Sequence, residues 1–178
     1  MYASETASPL GTITLASDGK ALVGLWLEGQ KYFAASVKGT LERKDDLPVF
    51  ALVRDWLADY FAGKKPAIVA VPLAPVGSPF RSAVWDILRD IPYGQCTTYG
   101  SIAKIVAARM GRSGMSGQAV GGAVGHNPVS IIIPCHRVIG SSGSLTGYAG
   151  GIDKKIKLLE LEGVDLSRCV VPLKSTAL

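Results

Sequence analysis

The side chains best suited to chemistry are few. The chain has three cysteines, Cys96, Cys135 and Cys169, and two histidines, His126 and His136. A thiol and an imidazole are neighbours only at Cys135-His136. Thiolate is the nucleophilic form of cysteine, and a thiol near its ordinary pKa of about 8.5 is mostly protonated at neutral pH. An imidazole can take that proton, and a carboxylate can hold the ring in one tautomer. Adjacent side chains need not point together, so a bridging water is a reasonable relay. Glu162, at the end of the last expected helix, is a candidate orienter, although sequence alone ranks other acids equally. The competing reading is a buried core cysteine beside an unrelated histidine, the usual fate of a lone Cys. The cysteines are odd in number and widely spaced, a poor disulfide framework that suits a reducing cytosol. There is no C-x-x-C, and both histidines are far from a second cysteine, so no metal or other cofactor is expected.

The stretch Asn127-Pro128-Val129-Ser130-Ile131-Ile132-Ile133-Pro134-Cys135-His136-Arg137-Val138 must hold that pair. Ile131 to Ile133 reads as a buried strand, since three β-branched residues suit a pleat covered on both faces. Pro134 cannot donate to a ladder and should stop it. Cys135 would then sit on backbone held rigidly from one side.

A length of 178 residues allows one large domain or two small ones. Hydrophobic residues at 48%, charged residues at 19% and a mean hydropathy of +0.28 describe a globular chain. A net charge of +5 and a pI near 9.2 suit an anionic partner without identifying one. No run approaches the roughly 20 apolar residues of a membrane span, and the N-terminus lacks a signal peptide's features. The expected location is cytoplasmic, or nuclear in a eukaryote.

Thr12 to Leu15 and Ala21 to Leu27 flank Asp18-Gly19, a strong hairpin dipeptide. Residues 31–38 suggest a short helix. Phe50, Leu52, Val53, Trp56, Leu57, Tyr60 and Phe61 recur at helical spacing between Pro48 and Gly63. Ile68 to Val71 suggests a further strand. This region holds no Cys and no His, and its aromatics read as core. Pro66, Pro72, Pro75, Pro79 and Gly77 mark a connection, dividing the chain into residues 1–77 and 78–178.

In the second part, Ser78-Pro79 opens a helix to about residue 91, with Phe80, Val84, Ile87, Leu88 and Ile91 as its stripe. Thr98 caps another, through Tyr99, Ile102, Ala103, Ile105, Val106 and Ala107. After a glycine-rich connection comes a short helix, Gln118-Ala119-Val120-Gly121-Gly122-Ala123-Val124. The pair resembles a helix-turn-helix, whose second helix lies against DNA. Glycine inside a helix costs roughly 1 kcal/mol, so two together suggest close approach of another backbone. The last helix spans about 152–162, with Ile152, Ile156, Leu158 and Leu159 inward, and Gly163 ends it. Arg168 to Val171 suggests a terminal strand, and the chain from Lys174 should fray.

Pro134-Cys135-His136-Arg137-Val138 resembles the active-site signature of the O6-alkylguanine-DNA alkyltransferases. Pro79-Phe80, Val84-Trp85, Ile91-Pro92-Tyr93-Gly94, Thr98-Tyr99-Gly100, Ala119-Val120-Gly121 and Asn127-Pro128 extend the resemblance. So do Gly147-Tyr148-Ala149-Gly150-Gly151, Leu158-Leu159 and Glu162-Gly163. Over residues 75–163 the match is specific; before that it is loose, in Pro9-Leu10-Gly11 and Asp18-Gly19. The resemblance implies an α/β (α+β) fold. A small ribonuclease H-like N-terminal subdomain of sheet and helix would precede a mainly helical one containing the helix-turn-helix.

It implies direct DNA repair: single-turnover, irreversible transfer of an alkyl group from O6-alkylguanine, and O4-alkylthymine as well, to Cys135 after nucleotide flipping. Cys135 accepts the group, His136 takes its proton through water, and Glu162 orients His136. Asn127 braces the surrounding loop, and Tyr99 contacts the flipped nucleotide and helps protonate the departing guanine. Carbonyls at Cys135 and Val138 read the guanine amino group, while Tyr148 and the Ala149 amide form the other wall. Gln118, Ala119, Gly121, Gly122 and Arg137 complete the implied DNA- and substrate-binding set. The partner is duplex DNA carrying alkylated guanine, bound by a monomer. Gln118 stands where the family usually has an arginine that fills the flipped base's place, a role Arg109 or Arg112 could take. Ser130 stands where some members carry a pocket-shaping proline. The alternative is an alkyltransferase-like protein that binds alkylated DNA without repair, but those replace the acceptor cysteine. A cysteine hydrolase would need an oxyanion hole, for which no motif is present.

Overall fold

The alternating start of the chain pairs with itself in the computed structural model, which describes residues 1–172. β1 (Tyr2–Ser8), β2 (Gly11–Ser17) and β3 (Leu22–Leu27) form an antiparallel meander, and β4 (Glu42–Arg43) adds to β1 in parallel, giving the order β3-β2-β1-β4. The Asp18-Gly19 turn forms as its chemistry dictates. Asp18 Oδ1 accepts the Lys20 and Ala21 amides at 2.8 Å, and Gly19 takes φ +102°. Trp26 is buried over Gly24, where a Cβ would lie 1.9 Å from its ring.

α1 (Pro48–Phe61) buries Val49, Phe50, Val53, Trp56, Leu57 and Tyr60, each worth about 1.5–3 kcal/mol when fully buried. Pro48 occupies its first turn, where a missing amide costs nothing.

Two expectations here need correction. Residues 31–38 turn instead of coiling into a helix, because Tyr32 and Ala34 take φ of +58° and +53°. Ile68–Ala70 is a short 3₁₀ turn and not a strand. The pairing lies just beyond it, where Pro72 O and the Ala74 amide bond Leu22.

The chain divides into two compact units. One is Met1–Val76 with Pro128–Ile132, and the other is Gly77–Asn127 with the described residues from Ile133 onward. The return of 128–132 to the first unit has no counterpart in the division expected at 77/78. There Pro128 O accepts the Leu25 amide at 2.8 Å, and the Ser130 amide donates to Leu25 O at 2.9 Å, setting Val129 beside Leu25 in parallel. Ser130 Oγ donates to Gln30 Oε1 at 2.9 Å, and the same oxygen accepts the Leu27 amide.

The strand expected at Ile131 to Ile133 does not form, and the pairing is a single bridge at Val129. Ile131 has φ +69°, and the Ile132 amide turns back to Ser130 O at 2.8 Å. All three isoleucines are buried. Burial of a β-branched run fixes its environment and leaves its backbone free to turn.

The second unit is built on helices. α2 (Pro79–Arg89) is capped by Ser78, whose Oγ accepts the Arg81 amide, and buries Val84, Trp85, Ile87 and Leu88. α3 (Tyr99–Arg109) is capped by Thr98, and α4 (Gly117–Gly125) by Ser116. Trp85 Nε1 donates to Ala123 O at 2.9 Å, tying α2 to α4. β5 (Thr97–Thr98) and β6 (Val138–Ile139) form a two-stranded parallel pair, and α5 (Ile152–Leu161) follows. The suggested strand at Arg168 to Val171 shrinks to one bridge between Val170 and Ser144. The fraying expected from Lys174 lies outside the described residues.

Candidate active site

Cys135 opens a 3₁₀ turn, Cys135–Arg137, between Pro134 and β6. Its amide donates to Ile133 O at 2.8 Å, the Arg137 amide to Pro134 O, and the Val138 amide to Cys135 O. Consecutive tight bonds of this kind leave the Cα–Cβ bond little freedom. Asn127, just past α4, fixes the sulfur itself: Nδ2 donates to Ile133 O at 2.8 Å and to Cys135 Sγ at 3.1 Å. The carbonyl contact decides which end of the amide faces the thiol, because only NH₂ can donate to Ile133 O. A donor at that distance favours the anionic sulfur. Asn127 was expected to brace the loop; the sulfur contact is a second role.

His136 is fully buried, and its Nε2 lies 2.8 Å from Glu162 Oε1. Facing a carboxylate, Nε2 carries the hydrogen, so a proton arriving from the thiol must enter at Nδ1. Burial holds the imidazole pKa below its ordinary value, outweighing the opposing pull of Glu162, and Arg137 adds to the lowering. A neutral ring is the one that can accept a proton.

Glu162 accepts three further bonds: Arg137 Nε at 2.8 Å, Arg137 Nη2 at 2.9 Å and the Gly94 amide at 3.1 Å. Arg137 also donates to Ile91 O and lies over the Tyr93 ring, its Cζ 5.7 Å from the centroid. At 5% exposure this guanidinium is committed inside the protein. Arg137, expected among the DNA-binding residues, is thus corrected to the carboxylate's ion-pair partner, the planar bidentate fit that arginine makes best.

On the other side of the turn, Tyr99 begins α3, and its hydroxyl donates to Thr146 O at 3.1 Å. Burial, with Cys135 adding to it, pushes the phenol pKa well up, so it stays protonated and keeps its hydrogen to donate. Gly147 makes room for it: φ is +83°, and a Cβ would lie 2.4 Å from the Tyr99 oxygen. Tyr148 is buried, edge-on to His136 with 6.5 Å between ring centroids, and Ala149 is half-buried. Val138 O accepts Lys155 Nζ at 2.5 Å.

Gln118 and Ala119 are exposed and Gly122 is partly so, while Val120, Gly121, Ala123 and Val124 are buried. Positions 118, 119 and 122 share one helix face by their spacing of three and four. A Cβ on Gly122 would meet nothing within 4 Å, so no packing within the protein demands the glycine. Gly121 lies on the buried face, and Gly122 carries the argument for an outside partner. Arg109 and Arg112 are exposed, Arg109 within 3.3 Å of Asp90. Among the described residues no cluster of three or more His, Cys, Asp or Glu could hold a metal.

The comparisons with known proteins cover both parts of the chain. The 6-O-methylguanine DNA methyltransferase ribonuclease-like domain matches residues 1–75, and the DNA binding domain of the same enzyme matches residues 79–164. The chain belongs to the 6-O-methylguanine DNA methyltransferase family. A methylated-DNA–protein-cysteine methyltransferase of Haemophilus influenzae is 40% identical over 164 residues, 92% of this chain and 87% of the relative. One from Methanosarcina acetivorans is 41% identical over 92% of this chain and 99% of its own length. The crystal structure of Mycobacterium tuberculosis OGT in complex with DNA shares the fold with a TM-score of 0.78, at 40% identity over 95% of each chain.

Within this family member, Asn127 is bonded to Cys135 Sγ and Glu162 to His136, two hydrogen-bonded pairs carried by adjacent residues of one turn, and Tyr99 meets the Thr146–Gly147 loop. Three supporting residues escaped the sequence reading: Gly94, the counter-ion role of Arg137, and Lys155. Gly94 left a signal in its turn dipeptide, since its φ is +76° and a Cβ would lie 2.9 Å from Glu162 O. Lys155 left one in its spacing with Leu158, Leu159 and Glu162. No helix among the described residues is long and apolar enough to cross a membrane.

Proposed function

We propose that the chain repairs duplex DNA by moving an alkyl group from O6 of guanine to Cys135 Sγ, once per molecule. The observation that carries this reading is the sulfur held by the Asn127 amide beside a buried neutral imidazole whose far nitrogen is bound to Glu162. The thiol proton passes through a water to His136 Nδ1. The thiolate attacks the alkyl carbon in line, the S–C bond forms as the C–O6 bond breaks, and the electron pair stays with guanine. Stabilising that leaving group matters as much as activating sulfur.

Tyr99 supports it by turning its hydroxyl from Thr146 O to the base, donating a hydrogen bond as charge develops. The proton that neutralises guanine is the one His136 received. Carbonyls at Cys135 and Val138 read the amino group, and Tyr148 with the Ala149 amide lines the opposite wall. Val138 O already accepts Lys155 and keeps its second lone pair for the base.

Cys135 is 5% exposed, so a base cannot be reached inside a stacked duplex. The nucleotide must be flipped, at a cost of a few kcal/mol that a weakly paired damaged base lowers. The α4 face of Gln118, Ala119 and Gly122 is the docking surface, and O4-alkylthymine is a second substrate of the same pocket. One copy of the chain suffices.

Incubation with a duplex containing O6-methylguanine should add one methyl to the Cys135 peptide by mass, one equivalent per protein. Cys135→Ser should bind the same duplex and leave it unrepaired. An unmodified peptide with unrepaired DNA overturns the reading; tight binding without transfer by the unaltered chain would instead make it a recognition protein.

A further inference from the structure

The backbone just ahead of the acceptor is strained at one residue. Ile131 has φ +69°, a left-handed conformation that a β-branched side chain disfavours. Such a residue persists only where its surroundings over-determine it. Three bonds at Ser130 do so. Its amide donates to Leu25 O at 2.9 Å, its carbonyl accepts the Ile132 amide at 2.8 Å, and its hydroxyl donates to Gln30 Oε1 at 2.9 Å. The first two are backbone bonds that most residue types could make. The third needs two particular side chains 100 positions apart, both buried. A methionine at position 30 would fill the same space without the cost of burying an amide. The local turn is already closed by the Gln30 amide on Leu27 O at 3.0 Å, so the reach to Ser130 serves something beyond it.

That purpose lies two residues past the strained turn. Ile133 O accepts the Cys135 amide and Asn127 Nδ2, each at 2.8 Å, and the same Nδ2 lies 3.1 Å from Cys135 Sγ. Residues 127–133 therefore form a loop closed at its neck by Asn127 and held at its tip by Leu25 and Gln30. The neck aims a donor at the sulfur, and the tip fixes the twist of the chain that carries the neck.

We propose that Gln30 is a positioning residue for alkyl transfer: through Ser130 it holds Ile131 in its left-handed turn and so keeps the Asn127 amide on the Cys135 sulfur. This deepens the reading of Cys135 as the alkyl acceptor and rests on it. Without the Gln30–Ser130 bond, Ile131 relaxes toward ordinary backbone angles, the Ile133 carbonyl shifts, and the thiol loses the donor that favours its anion.

Ser130→Ala removes one hydroxyl and leaves the Leu27 turn intact, while Gln30→Met removes the acceptor. Ser17→Ala is the control, because it deletes another fully buried hydroxyl bond, to Ala21 O at 2.7 Å. Iodoacetamide reacts with thiolate, and peptide mass separates Cys135 from Cys96 and Cys169. In Ser130→Ala and in Gln30→Met the pH midpoint of Cys135 carbamidomethylation should rise by about half a unit or more, the scale on which one hydrogen bond moves a pKa. The double variant should rise no further than the larger single one, and Ser17→Ala should not move. Methyl transfer by Ser130→Ala at neutral pH should slow by about threefold, the thiolate lost over half a pH unit, with duplex affinity unchanged. A folded Ser130→Ala with an unmoved midpoint overturns the proposal, as does an equal rise in Ser17→Ala or an additive rise in the double variant. Should Gln30→Met fail to fold, Ser130→Ala decides alone. The midpoints need no DNA, so an unsubstituted protein that takes no methyl from the duplex overturns the acceptor reading separately.

Discussion

Arg137→Met should reverse the pH dependence that His136 gives to stability. Glu162 has no side-chain exposure and the Arg137 side chain 7%, and two N–H···O bonds of 2.8 and 2.9 Å join them. Removing one partner of a buried ion pair costs about 3–5 kcal/mol, a large part of the roughly 5–15 kcal/mol that holds a domain folded. Methionine fills the stem's volume, so most of the loss is electrostatic.

The remaining cation available to Glu162 is His136 itself, 2.8 Å away. In the unsubstituted protein the imidazole pKa lies below 6.5. Its contribution to stability is present above about pH 6.5 and is lost as pH falls through the folded value. In the variant the unbalanced carboxylate raises the folded pKa above the unfolded one. The contribution is then fullest below about pH 6.5 and is lost as pH rises. Urea unfolding at pH 7.5 and 5.5 measures this as the difference between the two proteins, which cancels carboxylates common to both. The penalty at pH 5.5 should be smaller by about 1–2 kcal/mol, since one unit of pKa is about 1.4 kcal/mol. Methyl transfer at neutral pH should fall by about 10²-fold, the low end of what a proton acceptor contributes. A penalty equal or larger at pH 5.5 would refute the idea that Arg137 keeps the imidazole neutral.

Two further outcomes follow from α4. Gly122→Ala should stabilise the fold by roughly 0.5–1 kcal/mol, because the new methyl meets open space in a helix, while duplex affinity falls. Greater stability with unchanged DNA binding would remove this face from the docking surface. Gln118→Arg should speed repair in duplex DNA more than in single strands, as a longer, charged side chain props the gap left by a flipped base; equal acceleration on both would exclude an intercalating role.

Local signals placed most of the frame. Ser78 before Pro79, Thr98 before Tyr99, and Pro48 before an apolar stripe each start a helix where their capping chemistry says they should. The signature around Cys135 pointed to His136, Asn127 and Glu162, although 26 positions separate His136 from its carboxylate. What stayed hidden depends on partners distant in sequence. Three isoleucines looked like a strand because periodicity records burial, whereas their turn is set by Ser130 and by φ at Ile131. The resemblance set Arg137 among the DNA- and substrate-binding residues, and its pairing with Glu162, 25 positions away, leaves no local signal. Lys155 fell out of the α5 stripe because lysine is assumed exposed, yet it is buried with Leu158 and Leu159 while Ile156 is only half covered.

The return of residues 128–132 to the first unit bears on how the protein is made. Leu25 offers its amide and carbonyl to Pro128 and Ser130, and the buried Gln30 side chain bonds Ser130. A ribosome releasing the first 76 residues has therefore not released a finished sheet. Roughly fifty more residues must emerge before that edge can close, several seconds at about 5–20 residues per second. During that interval β3 offers open backbone to whatever is near, and a fragment cut at the apparent boundary would keep this exposure permanently. The acceptor cysteine follows the closing segment by only a few residues, so synthesis of the reactive thiol and completion of the N-terminal sheet are almost simultaneous.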